Sequence, residues 1–213
     1  MSETILKEIG ASLARGDRAS VSKLTKEALD GGIPVKKILE DALIASMNAV
    51  GEKFKANEIF IPEVLIAAKA MHAGIAVLEP HFTSCGIKPA GKVIIGTVKG
   101  DLHDIGKNIV RMMLKGACFE VMDLGIDVPP GKFAEIVQTK GADIIAMSSL
   151  LTTSMGAMKD TIKLLKDSNL RDKVKIIIGG APVTQNFADA IGADGYAKDA
   201  ATAVDKAKQL VSK

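Results

Sequence analysis

The sequence predicts two unlike halves: an all-α four-helix domain, then an α/β domain built on a five-stranded parallel sheet. Two observations carry this. Up to about residue 80, apolar residues recur every three or four positions, the spacing of one helix face. From Lys92 onward, short β-branched runs alternate with helical stretches, the pattern of βα units. Composition agrees: of 213 residues, 47% are apolar and 25% charged, a globular balance.

In the first half, Ile5, Leu6, Ile9 and Leu13 share a helical face, and Val21, Leu24 and Ala28 share another behind Asp17, a candidate cap. Val35, Ile38, Leu39, Leu43, Met47, Val50 and Phe54 form the strongest period, with Pro34 suited to the first turn, where a missing N–H is harmless. A fourth helix starts near Pro62 and presents Leu65, Ala68, Met71, Ile75 and Leu78. Gly31-Gly32, Asn57 and a Gly/Pro/Ser stretch at 82–91 punctuate these helices, and the last of these reads as a linker between domains 1–85 and 86–213. In the second half, strands are expected over 93–98, 119–124, 143–148, 174–178 and around 194–196. Helices are expected over 105–116, 130–140, 155–168, 183–191 and 199–212. Right-handed crossovers leave few topologies, and a flavodoxin-like (Rossmann-like) strand order is the choice made here.

Composition narrows the partners. Aromatic residues make up 3%, with no Trp and one Tyr, too few for a base-stacking surface on single-stranded nucleic acid. The net charge of +3 is spread along the chain and suggests no polyanion. The charge-free run Ile144–Met158 is rich in Ser and Thr and too short for a spanning helix, so no membrane partner is expected. Neither terminus reads as a targeting signal. Cys85 and Cys118 have neither CxxC spacing nor a disulfide framework, and a reducing cytoplasm is the expected setting.

Ligands of open α/β sheets bind beyond the carboxyl ends of the strands. Three loops there carry unusual residues: Lys99–Asn108, Ser148–Ser154 and Gly179–Pro182. His103, between Asp101 and Asp104, is the most informative residue. A carboxylate on one ring nitrogen would fix the tautomer and leave the other as a base or metal ligand. A capping cluster at the helix start, with Asp101 or Asp104 as N-cap, is the plainer reading. Capping is likewise the plain reading of the Ser and Thr hydroxyls. A free-standing metal site is short of ligands, because His72 and His81 lie elsewhere. A metal that brings its own equatorial ligands needs only one from the protein.

Asp101-x-His103-x-x-Gly106, then Ser148-x-Leu150 and Gly179-Gly180, resembles the cobalamin-binding signature of corrinoid proteins. Gly51-Glu52-Lys53-Phe54, followed by Glu58–Glu63, resembles the helical cap of methyl-carrying corrinoid proteins, so the similarity spans nearly the whole chain. The resemblance implies cobalamin bound base-off/His-on. His103 is then the lower axial cobalt ligand, Asp101 accepts from its other nitrogen, and Ser154 completes the triad. It implies that Leu102, Asp104, Ile105 and Gly106 line the cofactor, as do Ser148, Leu150 and Thr152. Gly179, Gly180 and Ala181 would stand at the far end of its nucleotide tail, with Tyr196, Lys198 and Asp199 closing that end. Phe60, Ile61 and Met71 are candidates for the upper face of the corrin, against a plainer reading as bundle core. The implied activity is methyl carriage on cobalt, serving a donor-specific methyltransferase, an acceptor methyltransferase using a folate or thiol coenzyme, and a reductive activase. Residues 82–91 would act as a hinge.

The rivals fit less well. A response-regulator receiver needs Asp where Ser148 stands. A flavodoxin needs a hydroxyl-rich first loop, and a cobalamin-dependent mutase subunit normally lacks the helical cap. A cobalamin-binding regulator or sensor keeps a cap and is the main alternative.

Overall fold

The structure is a computed structural model and describes residues 2–82 and 85–212. Thr83 and Ser84, inside the expected linker, lie outside the described residues. The chain divides into two compact units, Met1–Pro89 with Lys115–Cys118, and Ala90–Leu114 with Phe119–Lys213.

The first unit is helical: α1 (Ser2–Ala14), α2 (Arg18–Asp30), α3 (Val35–Lys37), α4 (Ala45–Lys55) and α5 (Ile61–Leu78). Asp17 caps α2 as expected, accepting the Ser20 N–H at 3.0 Å. The strong period from Val35 to Phe54 is one continuous helical run, but its middle, Ile38–Ile44, is π-helical. Ile38, Leu39, Ala42 and Leu43 remain buried through the wider turn. Pro34 sits one position earlier than expected, as N-cap rather than in the first turn. Asn57 ends the run with φ +59°, a left-handed conformation that Asn tolerates. Helix α5 has the length and hydropathy of a membrane-crossing helix, which the run Ile144–Met158 does not. Here its Val64, Ala67, Ala68, Met71, Gly74 and Leu78 are buried, and it packs on α2 and α4.

The second unit carries the sheet. Strands β1 (Lys92–Thr97), β2 (Glu120–Asp123), β3 (Ile144–Ser148), β4 (Lys175–Gly179) and β5 (Gly195–Ala197) alternate with α6 (Ile105–Gly116), α7 (Pro130–Lys140), α8 (Met155–Asp167), α9 (Gln185–Ile191) and α10 (Ala200–Val211). All pairings are parallel, in the order β2-β1-β3-β4-β5, which is the flavodoxin-like order expected. The central strands are nearly continuous Ile, Val and Ala because both faces are covered. Ile94, Ile145, Met147, Ile176 and Ile178 share one core with Phe133, Met158, Ile162 and Leu165.

Register positions the loops. Thr97, Ser148, Gly179 and Ala197 pair across one rung at the carboxyl edge. The loops after β1, β3 and β4 therefore start level, on either side of the point where strand order reverses between β1 and β3.

Gly179 and Gly180 are demanded by the fold itself. A Cβ at Gly179 would stand 2.7 Å from the Ala197 carbonyl oxygen, and one at Gly180 would collide with the Ser149 carbonyl. Gly180 also has φ +130°, which side chains rarely adopt. Gly180→Ala is expected to cost about 2–3 kcal/mol, lowering Tm by about 5–10 °C in calorimetry. An unchanged Tm would refute that account.

Candidate functional site: the carboxyl edge of β1 and β3

The β1–α6 loop is held by its own short bonds. The Asp101 N–H donates to the Val98 carbonyl, and Gly100, at φ +83°, donates its N–H to Asp127 Oδ1 at 2.7 Å. Asp127 N–H returns to the Asp101 carbonyl at 3.0 Å. The Thr97 hydroxyl donates to the His103 carbonyl at 2.8 Å.

Asp101 is the hub. It is fully buried, yet both carboxylate oxygens are saturated. Oδ1 accepts the His103 N–H at 3.0 Å and lies 2.7 Å from His103 Nδ1. Oδ2 accepts the Leu150 N–H at 2.6 Å, the Leu151 N–H at 3.2 Å and the Ser154 hydroxyl at 3.1 Å. Burial opposes ionisation, but the donors from His103, Leu150 and Ser154 outweigh it and hold the carboxyl well below the usual carboxylate range. An ionised Asp101 keeps the proton on Nδ1, so Nε2 carries the lone pair. The His103 side chain is 53% exposed while its partner is wholly covered.

Side-chain capping does not describe Asp101 or Ser154, whereas Asp104 stands just before α6 and its carbonyl accepts the Asn108 N–H at 2.8 Å, the N-cap position of the plainer reading. Asp101 spends its oxygens on the two loops. Asp104 is exposed and accepts the Asn108 side-chain amide one turn on. Ser154 occupies the N-cap position of α8 but makes no side-chain capping bond; its Oγ faces Asp101, the Leu151 carbonyl at 2.9 Å and Ser149. Asp199, in contrast, is a cap: it accepts the Thr202 N–H at 2.7 Å and heads α10.

The other expected residues fall into two groups. Leu102, Ile105 and Leu150 are large apolar side chains left exposed on this one edge, Ile105 by 75%, and Leu151, which was not among the expected residues, is exposed beside them. Gly106 stands beside them, and a Cβ added there would meet no atom within 4 Å. Ser148 is half-buried at the end of β3, and Thr152 and Ala181 are exposed; none is bonded to Asp101. Tyr196 is half-buried in β5 against the core and Lys198 is exposed beyond it. In the first unit, Met71 is fully buried and belongs to the core, whereas Phe60 and Ile61 stand 67% and 42% exposed at the start of α5.

Sequence reasoning passed over three features. Ser149 is fully buried, 2.7 Å from Ser154 Oγ. Thr97 and Asp127 brace the loop from outside it. Lys107, 2% exposed, is bonded to both Asp123 oxygens at 2.8 and 2.7 Å and fastens α6 to β2. Burial raises the Asp123 pKa, but Lys107, the Gly125 N–H and Arg111 together lower it on balance. The available signal was parity: consecutive Ser148 and Ser149 leave a buried strand on opposite sides.

The B12 binding domain family matches residues 91–205, and a second B12 binding domain family matches residues 5–79. The dimethylamine corrinoid protein of Methanosarcina barkeri is 45% identical, covering 99% of both chains. Among solved structures, the methanol:cobalamin methyltransferase complex of Methanosarcina barkeri superposes with TM-score 0.86 at 29% identity, covering 98% of this chain and 80% of that one. A cobalamin-binding protein from Desulfitobacterium hafniense superposes with TM-score 0.82 at 32% identity, covering 96% and 98%.

The residues present suit a corrinoid. Among the described residues, no three His, Cys, Asp or Glu side chains gather to hold a bare metal ion. The edge offers instead one imidazole held through Nδ1 by a buried carboxylate, an apolar rim for a large flat ring and an unfilled space at Gly106. With both B12 binding domains in order and full-length relatives of this similarity, the chain belongs to the corrinoid protein family and has cobalamin as its cofactor.

Proposed function

We propose that the chain is a methyl carrier that would hold cobalamin in the base-off/His-on state, with His103 Nε2 as the nitrogen that would ligate its cobalt. When bound, the corrinoid supplies a cobalt centre able to accept and release a methyl group. His103 supplies the nitrogen, and Asp101 orients the ring and holds the proton at Nδ1. Ser154 donates to the far oxygen of Asp101, so changes at the ring are shared along Ser154–Asp101–His103. Leu102, Ile105, Leu150 and Leu151 exclude water from the ligand bond, and Gly106 leaves room beside the backbone. Ser148, Thr152, Gly179, Gly180, Ala181, Tyr196 and Asp199 would line or close the path of the nucleotide tail.

Residues 1–85 act in this reading as the cap and 86–213 as the carrier domain. Phe60 and Ile61 are the cap's exposed apolar candidates. The partners are a donor-specific methyltransferase, an acceptor methyltransferase and a reductive activase. The similarity to a dimethylamine corrinoid protein favours a methylated amine as the donor class.

One observation supports the reading most: a half-exposed imidazole bonded through Nδ1 to a wholly buried carboxylate. The test is the absorption spectrum of wild type and His103→Ala after reconstitution with hydroxocobalamin and desalting. The wild type should keep a His-ligated corrinoid, and the variant should show a changed spectrum and binding about tenfold weaker or more. A colourless wild type would overturn the proposal.

A further inference from the structure

We infer that Ser149 is a positioning residue that aims and polarises the Ser154 hydroxyl toward Asp101, making the chain behind His103 four groups long. This deepens the reading of His103 as the cobalt ligand and rests on it.

The argument is a count of protons. Ser154 has one hydroxyl proton and three acceptors in reach: Asp101 Oδ2 at 3.1 Å, the Leu151 carbonyl at 2.9 Å and Ser149 Oγ at 2.7 Å. Ser149 also has one proton and two acceptors, Ser154 Oγ and the same Leu151 carbonyl at 3.0 Å. Two oxygens 2.7 Å apart need a proton between them. If Ser154 supplies it, Asp101 loses its hydroxyl donor. If Ser149 supplies it, the Ser154 proton is released to Asp101 or Leu151. The Leu151 carbonyl already accepts the Ser154 N–H at 3.2 Å. A carboxylate is the stronger acceptor, so the run Ser149 O–H to Ser154 Oγ, then Ser154 O–H to Asp101 Oδ2, is the best arrangement. Each bond in such a run strengthens the next.

The backbone fixes Ser149 for this task. Its N–H donates to the Gly179 carbonyl at 3.1 Å, and its own carbonyl lies where any side chain at position 180 would collide. The side chain is therefore held inward and fully buried. Gly180, just after β4, thus serves the chain behind His103 by letting Ser149 sit there.

The test is a cycle of Ser149→Ala, Ser154→Ala and the double variant, with two readouts. One is the His103 ring Nδ1–H signal by NMR on cofactor-free protein; the other is the hydroxocobalamin Kd. Ser149→Ala should move the ring signal in the same direction as Ser154→Ala, by less, and weaken binding about two- to fivefold. In the Ser154→Ala background it should add nothing. An equal added effect in that background, or an unmoved ring signal, would overturn the inference. A wild type that fails to retain the corrinoid would instead overturn the function proposed above, while the cofactor-free ring signal would still judge Ser149.

Discussion

Asp101→Asn is expected to lose both stability and the His103 ligand, although it removes no atom from the packing. Five donors converge on the two oxygens. An amide has one oxygen and an NH2 group, so one side must present donors to donors. With the NH2 toward Leu150 and Leu151, two backbone N–H groups are stranded. With the NH2 toward His103, one backbone N–H is stranded and Nδ1 must become an acceptor. The second arrangement is cheaper, because each stranded buried donor costs about 1–3 kcal/mol. It also moves the ring proton to Nε2, where it blocks a metal. The expected result is a loss of about 2–4 kcal/mol, or about 5–15 °C in Tm, with hydroxocobalamin binding weakened about 10–100-fold. Wild-type stability and affinity in Asp101→Asn would refute the hub role. The pH dependence has a definite sign. The unfolded Asp101 takes up a proton near pH 4, whereas the folded carboxyl stays ionised well below that. Its contribution is thus complete above about pH 4 and is lost as pH falls through the depressed native value. Urea titrations of wild type and variant should differ most near neutrality and converge in acid. Asp17 and Asp123, also lowered, are common to both proteins and cancel in the difference.

Much of this was legible in the residues. The βα alternation is carried by side-chain chemistry, β-branched runs against helical spacing, and helices expected at 105–116 and 130–140 match α6 and α7 at both ends. Asp101, His103 and Gly106 announce themselves because imidazole, carboxylate and glycine are costly in a plain loop. The π-helical stretch at Ile38–Ile44 was not legible, since its apolar spacing also fits an ordinary helix. Ser149 was hidden for a related reason: a serine beside other serines after a strand looks like a cap. Its role depends on which way the strand's alternation points it, and on Gly180 leaving room for its backbone. Asp199 shows a structural role that the resemblance did not include. A carboxylate after the last strand was given to the ligand by resemblance, and its local geometry is that of a helix cap.

The glycines separate fold from ligand most sharply, and Gly106 carries the strongest test of the site. Gly179 and Gly180 are required by backbone a few ångströms away, so substituting them disturbs the fold and cannot isolate an effect on the ligand. Gly106 lies in the first turn of α6 at ordinary φ, exposed, with nothing for a Cβ to meet. Nothing in this chain's own packing explains why the position lacks a side chain. A helix gains from Ala or Leu over Gly by up to about 1 kcal/mol, so cofactor-free Gly106→Ala and Gly106→Leu should be as stable as wild type or slightly more so. If the space beside His103 and Ile105 is where the corrinoid's tail passes, Leu should fill it and weaken hydroxocobalamin retention by about a hundredfold, with Ala intermediate. Opposite signs in melting temperature and in affinity cannot come from damage to the fold. Undiminished retention in Gly106→Leu would mean that the tail does not run past α6, and would detach the glycine from the site while leaving the Asp101–His103 pair in place.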